Sequence, residues 1–98
     1  MKNTYLAKAQ LLVMGYMTGI PGVKVYLFGS WARGEQRTSS DIDIAIDGLP
    51  SDKGYMIGRL REALEESDLP YNVDVVDMSF VSTSLRQRIL QEGILWKN

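Results

Sequence analysis

Along the first twenty positions the apolar residues Leu6, Ala9, Val13, Tyr16, Met17 and Ile20 recur at spacings of mostly three and four. That period puts one apolar stripe on a helix, so the spacing predicts a helix over 4–18, ended by Gly19, Pro21 and Gly22. Leu11, Leu12 and Met14 fall partly outside the stripe and give this helix more apolar circumference than a single covering face requires. From Val23 the period changes to two. Residues 23–28 alternate around Lys24 and Tyr26 and stop at Gly29, as a strand does, and residues 31–33 can wind into a short helical turn. Over 41–46, Ile42, Ile44 and Ile46 share one strand face while Asp41, Asp43 and Ala45 share the other; Asp47-Gly48 and Pro50 close the strand.

A second long helix is expected over 51–66, with Ser51 at its N-cap, Asp52 in its first turn, and Met56, Leu60, Ala63 and Leu64 on its buried side. Residues 71–76 read as a third strand. Residues 79–91 read as a turn into a short helix carrying Leu85, Ile89 and Leu90, and 94–96 as a short edge strand. The order is α+β (mixed α/β), without repeats or low-complexity segments, and 98 residues leave room for one domain, 1–98.

Composition narrows the chemistry. Eleven Lys+Arg against twelve Asp+Glu give a net charge of -1, and there is no basic stripe, so direct nucleic-acid binding is not expected. The chain has no Cys and no His, which removes disulfides, zinc ribbons, thiol nucleophiles and imidazole bases; metal ligation falls to carboxylates. The apolar stretch 11–14 is broken by Gly15 and Tyr16 and lacks the pattern of a signal peptide, and no run approaches the roughly 20 apolar residues of a membrane span. A cytoplasmic protein without membrane contact is expected.

Asp41 and Asp43 point the same way from an otherwise apolar strand. Two carboxylates so placed repel unless a divalent cation such as Mg²⁺ lies between them, although a solvent-facing strand also takes charges freely. Upstream, Gly29 allows close backbone approach to a phosphate, Ser30 supplies a hydroxyl at a helix start, and Arg33 offers a planar fork of donors. Gly29 and Gly34 are spaced as in a Walker A loop, but Glu35 and Gln36 stand where Lys and Ser/Thr belong; Ala45 and Ile46 likewise rule out an EF-hand. Two-metal phosphoryl chemistry needs a third carboxylate. Asp74, flanked by Val73 and Val75, can lie beside the pair from a neighbouring strand; Asp77, three residues on, is the alternative.

Gly29-Ser30, ten intervening residues, Asp41-Ile42-Asp43 and later Val73-Asp74-Val75 together resemble the nucleotidyltransferase superfamily that includes DNA polymerase β. The fuller string 28–34 (FGSWARG) with Ser40-Asp41-Ile42-Asp43 is similar to its minimal, MntA-like members. The resemblance implies a nucleotidyltransferase fold, a small mixed sheet backed by helices with the site on its open face. It implies that Asp41, Asp43 and Asp74 are catalytic and bind Mg²⁺, that Gly29 and Ser30 hold the triphosphate of ATP, and that Arg33 touches phosphates. It further implies an enzyme that moves AMP onto a hydroxyl, a tyrosine, of a helical HEPN/HepT-type toxin and so acts as its antitoxin. Two other readings stand beside this one: a non-catalytic antitoxin that works by contact, and a small-molecule nucleotidyltransferase completed by homodimerisation. Trp31 and Tyr55 are the aromatics available to stack on a base, and each is equally a packing residue.

Overall fold

The computed structural model describes residues 4–37 and 39–97. Helix α1 spans Thr4–Met17, strand β1 Lys24–Phe28, the short helix α2 Ser30–Arg33 and strand β2 Ile42–Asp47. A 3-10 turn over Ser51–Lys53 leads into helix α3, Tyr55–Glu66; strand β3, Val73–Asp77, helix α4, Thr83–Glu92, and strand β4, Ile94–Lys97, follow. The strands form one mixed sheet in the order β3-β2-β1-β4, in which β1 runs antiparallel to β2 and β4, and β2 runs parallel to β3. The parallel β2–β3 pair needs a crossover, and α3 supplies it.

The alternation within the strands separates two faces. On one, Val25, Leu27, Ile42, Ile44, Ile46 and Val75 join Ala9, Val13 and Met17 of α1 and Ile57, Leu60 and Leu64 of α3 in the main buried cluster. Leu12 and Met14 pack partly buried against this cluster, so the surplus apolar surface of α1 reduces to Leu11, which is 74% exposed. On the opposite face Tyr26 and Ala45 meet Met78 and Ile89 in a smaller cluster with Val76, Val81 and Leu85 around it. Helix α4 thus covers part of the face expected to be open, while Asp43, half-buried, and Asp74, exposed, lie on that same face.

The expected helix over 51–66 is split. The Lys53 amide donates to the Pro50 carbonyl at 2.9 Å, a 3-10 bond, and α3 begins only after Gly54, without a side-chain cap. Ser51 therefore does not cap α3, and Ile57 occupies the deeper core position while Met56 is only partly buried. Strand β2 starts at Ile42, leaving Asp41 just ahead of it, and β3 runs two residues later than its apolar pattern starts. Helix α4 is capped by Ser82, whose hydroxyl accepts the Leu85 amide at 3.2 Å. Lys97 anchors the last strand by donating to the carbonyls of Val23 at 3.0 Å and Ile20 at 3.4 Å. Among the described residues no helix is long and apolar enough to cross a membrane.

Candidate active site

The site begins at the end of β1. Gly29 has φ +74° and ψ -156°, a conformation that L side chains avoid, and a Cβ there would collide with the carboxylate of Asp43. Only glycine lets the backbone turn this close to that acid. The amides of Ala32 and Arg33 then donate to the Gly29 carbonyl at 3.1 and 3.2 Å, which winds α2 with Ser30 as its first residue. Trp31 is buried; its indole donates to the Ser40 carbonyl at 3.3 Å and its ring meets Tyr71 edge-on at 5.1 Å. It braces the connection that carries Asp41, so Trp31 is a packing residue. Tyr55 is exposed, with the Arg59 guanidinium 5.9 Å from its ring centre.

Strand register assembles the acids. Phe28 lies opposite Asp43 in the antiparallel β1–β2 pair, and Asp43 lies beside Asp74 in the parallel β2–β3 pair, on the face away from the main core. Burial pushes the Asp43 carboxyl up to about 6, and the neighbouring charges of Asp74 and then Asp41 push the same way, with Arg33 opposing them. Asp77 is elsewhere: it pairs with Ile46, whose side chain is in the main core, and its carboxylate accepts the Ser79 amide at 2.9 Å. Of the two candidates for the third acid, Asp74 is the one brought next to Asp43.

Asp41, Asp43 and Asp74 are hard oxygen donors of the kind Mg²⁺ takes, and a cation there would relieve the repulsion that Asp74 and Asp41 exert on Asp43. Among the described residues, however, no three acidic side chains are gathered tightly enough to form a ready-made metal cage. Arg33 is exposed and already engaged: its Nε donates to Glu35 at 2.7 Å and an Nη to Glu92, at the end of α4, at 3.3 Å, and these carboxylates, Glu35 foremost, raise its pKa further.

Three supports carry no local signal in the sequence. Glu92 reaches Arg33 across 59 positions. Arg86 of α4 donates to Asp47 of β2 and to the Met78 carbonyl, each at 3.3 Å, which holds α4 over its face of the sheet. Arg61 of α3 donates twice to the Val75 carbonyl, at 2.6 and 3.1 Å, and so holds the strand that carries Asp74.

Comparison with known proteins agrees with this architecture. The family model "Polymerase beta, Nucleotidyltransferase" matches residues 22–97, from the turn before β1 to the end of β4. The chain is 37% identical over 70 residues to a probable protein adenylyltransferase MntA of Haemophilus influenzae, and 41% identical over 70 residues to the protein adenylyltransferase MntA of Shewanella oneidensis. These alignments cover 71% and 70% of this chain and 61% and 49% of the relatives, so the chain spans about half to three fifths of their length. A chain of a toxin-antitoxin crystal structure with AMP-PNP superposes with a TM-score of 0.65 at 29% identity, covering 91% of this chain and 73% of that one. A chain of the complex of tri-AMPylated Shewanella oneidensis HEPN toxin with MNT antitoxin gives 0.61 at 26%, covering 94% and 71%. With the glycine turn, the strand-borne acids and the mixed sheet all in the matched region, the chain belongs to the polymerase-β-type nucleotidyltransferase family.

Proposed function

We propose that this chain transfers AMP from ATP to a hydroxyl, a tyrosine, of a HEPN-type toxin and thereby acts as its antitoxin in the cytoplasm. The observation that carries the reading is the packing of Gly29 directly against Asp43, with Asp74 beside it, because it sets a phosphate-approachable backbone next to paired carboxylates. Similarity to MntA adenylyltransferases, and to chains solved with AMP-PNP and with an AMPylated toxin, supports the donor and the acceptor.

In this reaction the acceptor oxygen bonds to the α-phosphorus as the bond to the β-phosphate oxygen breaks, and pyrophosphate leaves. Asp74 takes the hydroxyl proton, a role that falls to a carboxylate because the chain has no histidine. Asp41, Asp43 and Asp74 would hold Mg²⁺, which supplies charge neutralisation for the triphosphate and the departing pyrophosphate. The Gly29-Ser30 turn receives the triphosphate. Arg33 joins it by exchanging Glu35 and Glu92 for phosphate oxygens.

The test uses ATP labelled at the α-phosphate, Mg²⁺ and the toxin as acceptor, with wild type and an Asp41→Asn/Asp43→Asn variant. Label appearing on the toxin with wild type alone is the expected result. If the toxin is bound and silenced by both proteins and neither moves label, the chain works by contact and the transfer reading falls.

A further inference from the structure

The connection from α2 to Asp41 closes with a local turn, in which the Ser40 amide donates to the Arg37 carbonyl at 2.9 Å and the Ser40 hydroxyl accepts the Arg37 amide at 2.8 Å. These bonds shape the turn without tying it to the rest of the fold. The Trp31 indole supplies a tie: from α2 it donates to the Ser40 carbonyl at 3.3 Å, one residue ahead of Asp41.

The same ring reaches the approach to the third acid. It meets Tyr71 edge-on, with centres 5.1 Å apart at 78°, and Tyr71 meets Tyr5 of α1 in the same manner at 6.0 Å and 71°. Tyr71 leads through Asn72 and Val73 to Asp74, and the Asn72 carbonyl accepts the Ile42 amide at 2.9 Å. One side chain, carried by the helix that the Gly29-Ser30 turn starts, therefore touches both segments that run into the acids. Packing alone does not ask for an indole. A phenylalanine would fill much of the same space in the main core, whereas only the N–H reaches the Ser40 carbonyl.

We infer that Trp31 is a positioning residue for the metal site: its N–H sets Asp41 relative to the Gly29-Ser30 turn, and its ring steadies the entry to the strand that carries Asp74. A carbonyl held one residue away limits where the Asp41 carboxylate can stand, and groups that orient a ligand from behind govern metal affinity without touching the ion. Metal binding by these acids belongs to the AMP-transfer reading, on which this assignment rests; the residue that places them is what is added.

The variants are Trp31→Phe and, as a control for losing an indole from the same core, Trp96→Phe, since Trp96 of β4 packs partly buried against the main cluster. Mn²⁺ is titrated into each nucleotide-free, nitrogen-15-labelled protein and read as paramagnetic broadening of the Asp43 and Asp74 amides. Wild type and Trp96→Phe are expected to titrate alike, and Trp31→Phe to need about five-fold more Mn²⁺, the effect of one lost hydrogen bond. Labelled AMP transfer to the toxin over a range of Mg²⁺ concentrations should show the same displacement, with the rate at saturating Mg²⁺ close to that of wild type. In wild type itself, Mg²⁺ should shift the indole N–H resonance of Trp31 and leave that of Trp96 in place. An unmoved Trp31 resonance overturns the assignment even where Trp31→Phe does not fold, and so does an equal loss of Mn²⁺ affinity in both variants. Broadening in wild type without transfer of label defeats the AMP-transfer reading and leaves Trp31 assigned; transfer with a Mg²⁺ requirement unchanged by Trp31→Phe defeats the assignment and leaves that reading.

Discussion

At Gly29 two independent constraints coincide, a positive φ and a carboxylate where a Cβ would be. Gly29→Ala is therefore expected to cost about 1–3 kcal/mol of stability from the backbone conformation alone and to displace Asp43, abolishing nucleotide binding. Urea unfolding and calorimetric titration with an ATP analogue check both halves; a stable variant with intact binding would refute the packing argument. Asp43 carries the opposite kind of strain. Its carboxyl is held up at about 6, above its ordinary value of 3.8, so the folded chain keeps its proton more tightly than the unfolded chain does. Folding is thus penalised above about pH 6, progressively less as the pH falls, and not at all below about 3.8. In EDTA, Asp43→Asn should melt higher than wild type at pH 8, by a modest margin because the site is half-exposed and screened, and the gap should close toward pH 4. A gap that widens on acidification would reverse the sign and exclude this cause. The acids themselves are legible in the sequence because strand parity is local: Asp74 shares the parity that places it beside Asp43, whereas Asp77, an odd number of positions on, goes to the core side. Arg33's ties to Glu35 and Glu92 are not legible, since an exposed side chain chooses partners by proximity in the folded chain.

At the scale of elements, the hydrophobic periods give the order of helices and strands, and the structure differs mainly at their ends. Ser51 has the chemistry of an N-cap, yet Pro50 directs the chain into a 3-10 turn and α3 starts uncapped. Ser82 is the serine that caps a helix here. Its helix contributes Ile89 as its fully buried residue and Leu85 as a partly buried one, so the cap adds to the contacts of Arg86 and Glu92 in holding α4 in place. Ser82→Ala should cost about 1 kcal/mol and lower the melting temperature by roughly 4–8 °C for a domain of this size. Differential scanning calorimetry reads this directly, and a change under about 1 °C would mean that Arg86 and Glu92 fix α4 without the cap. Which strand lies beside which cannot be read from period-two patterns. The edge strand over 94–96 is predictable; its pairing with β1, which brings α4 over the acid-bearing face, follows from long-range contacts.

For the molecule as a whole, the four-stranded sheet has one face committed to a core and the other divided between a small α4 cluster and the acids. The acid-bearing face concentrates negative charge around Asp43 that Arg33 only partly offsets, and the chain's stability should therefore be linked to what binds there. A ligand that binds only the folded state at about 100 times its Kd adds about 2.7 kcal/mol, a rise on the order of 10 °C here. Mg²⁺ with a non-hydrolysable ATP analogue should raise the wild-type melting temperature by that order, and EDTA should remove the rise. Asp41→Asn/Asp43→Asn should start from a higher metal-free baseline, because the repulsion around Asp43 is gone, and gain nothing from Mg²⁺ and nucleotide. The baseline and the shift move in opposite directions for one physical reason, that the acids are an electrostatic cost which a bound cation would offset. Thermal shift with and without EDTA measures both. A variant with a lower baseline and an undiminished nucleotide shift would place Mg²⁺ and the triphosphate somewhere other than Asp41 and Asp43.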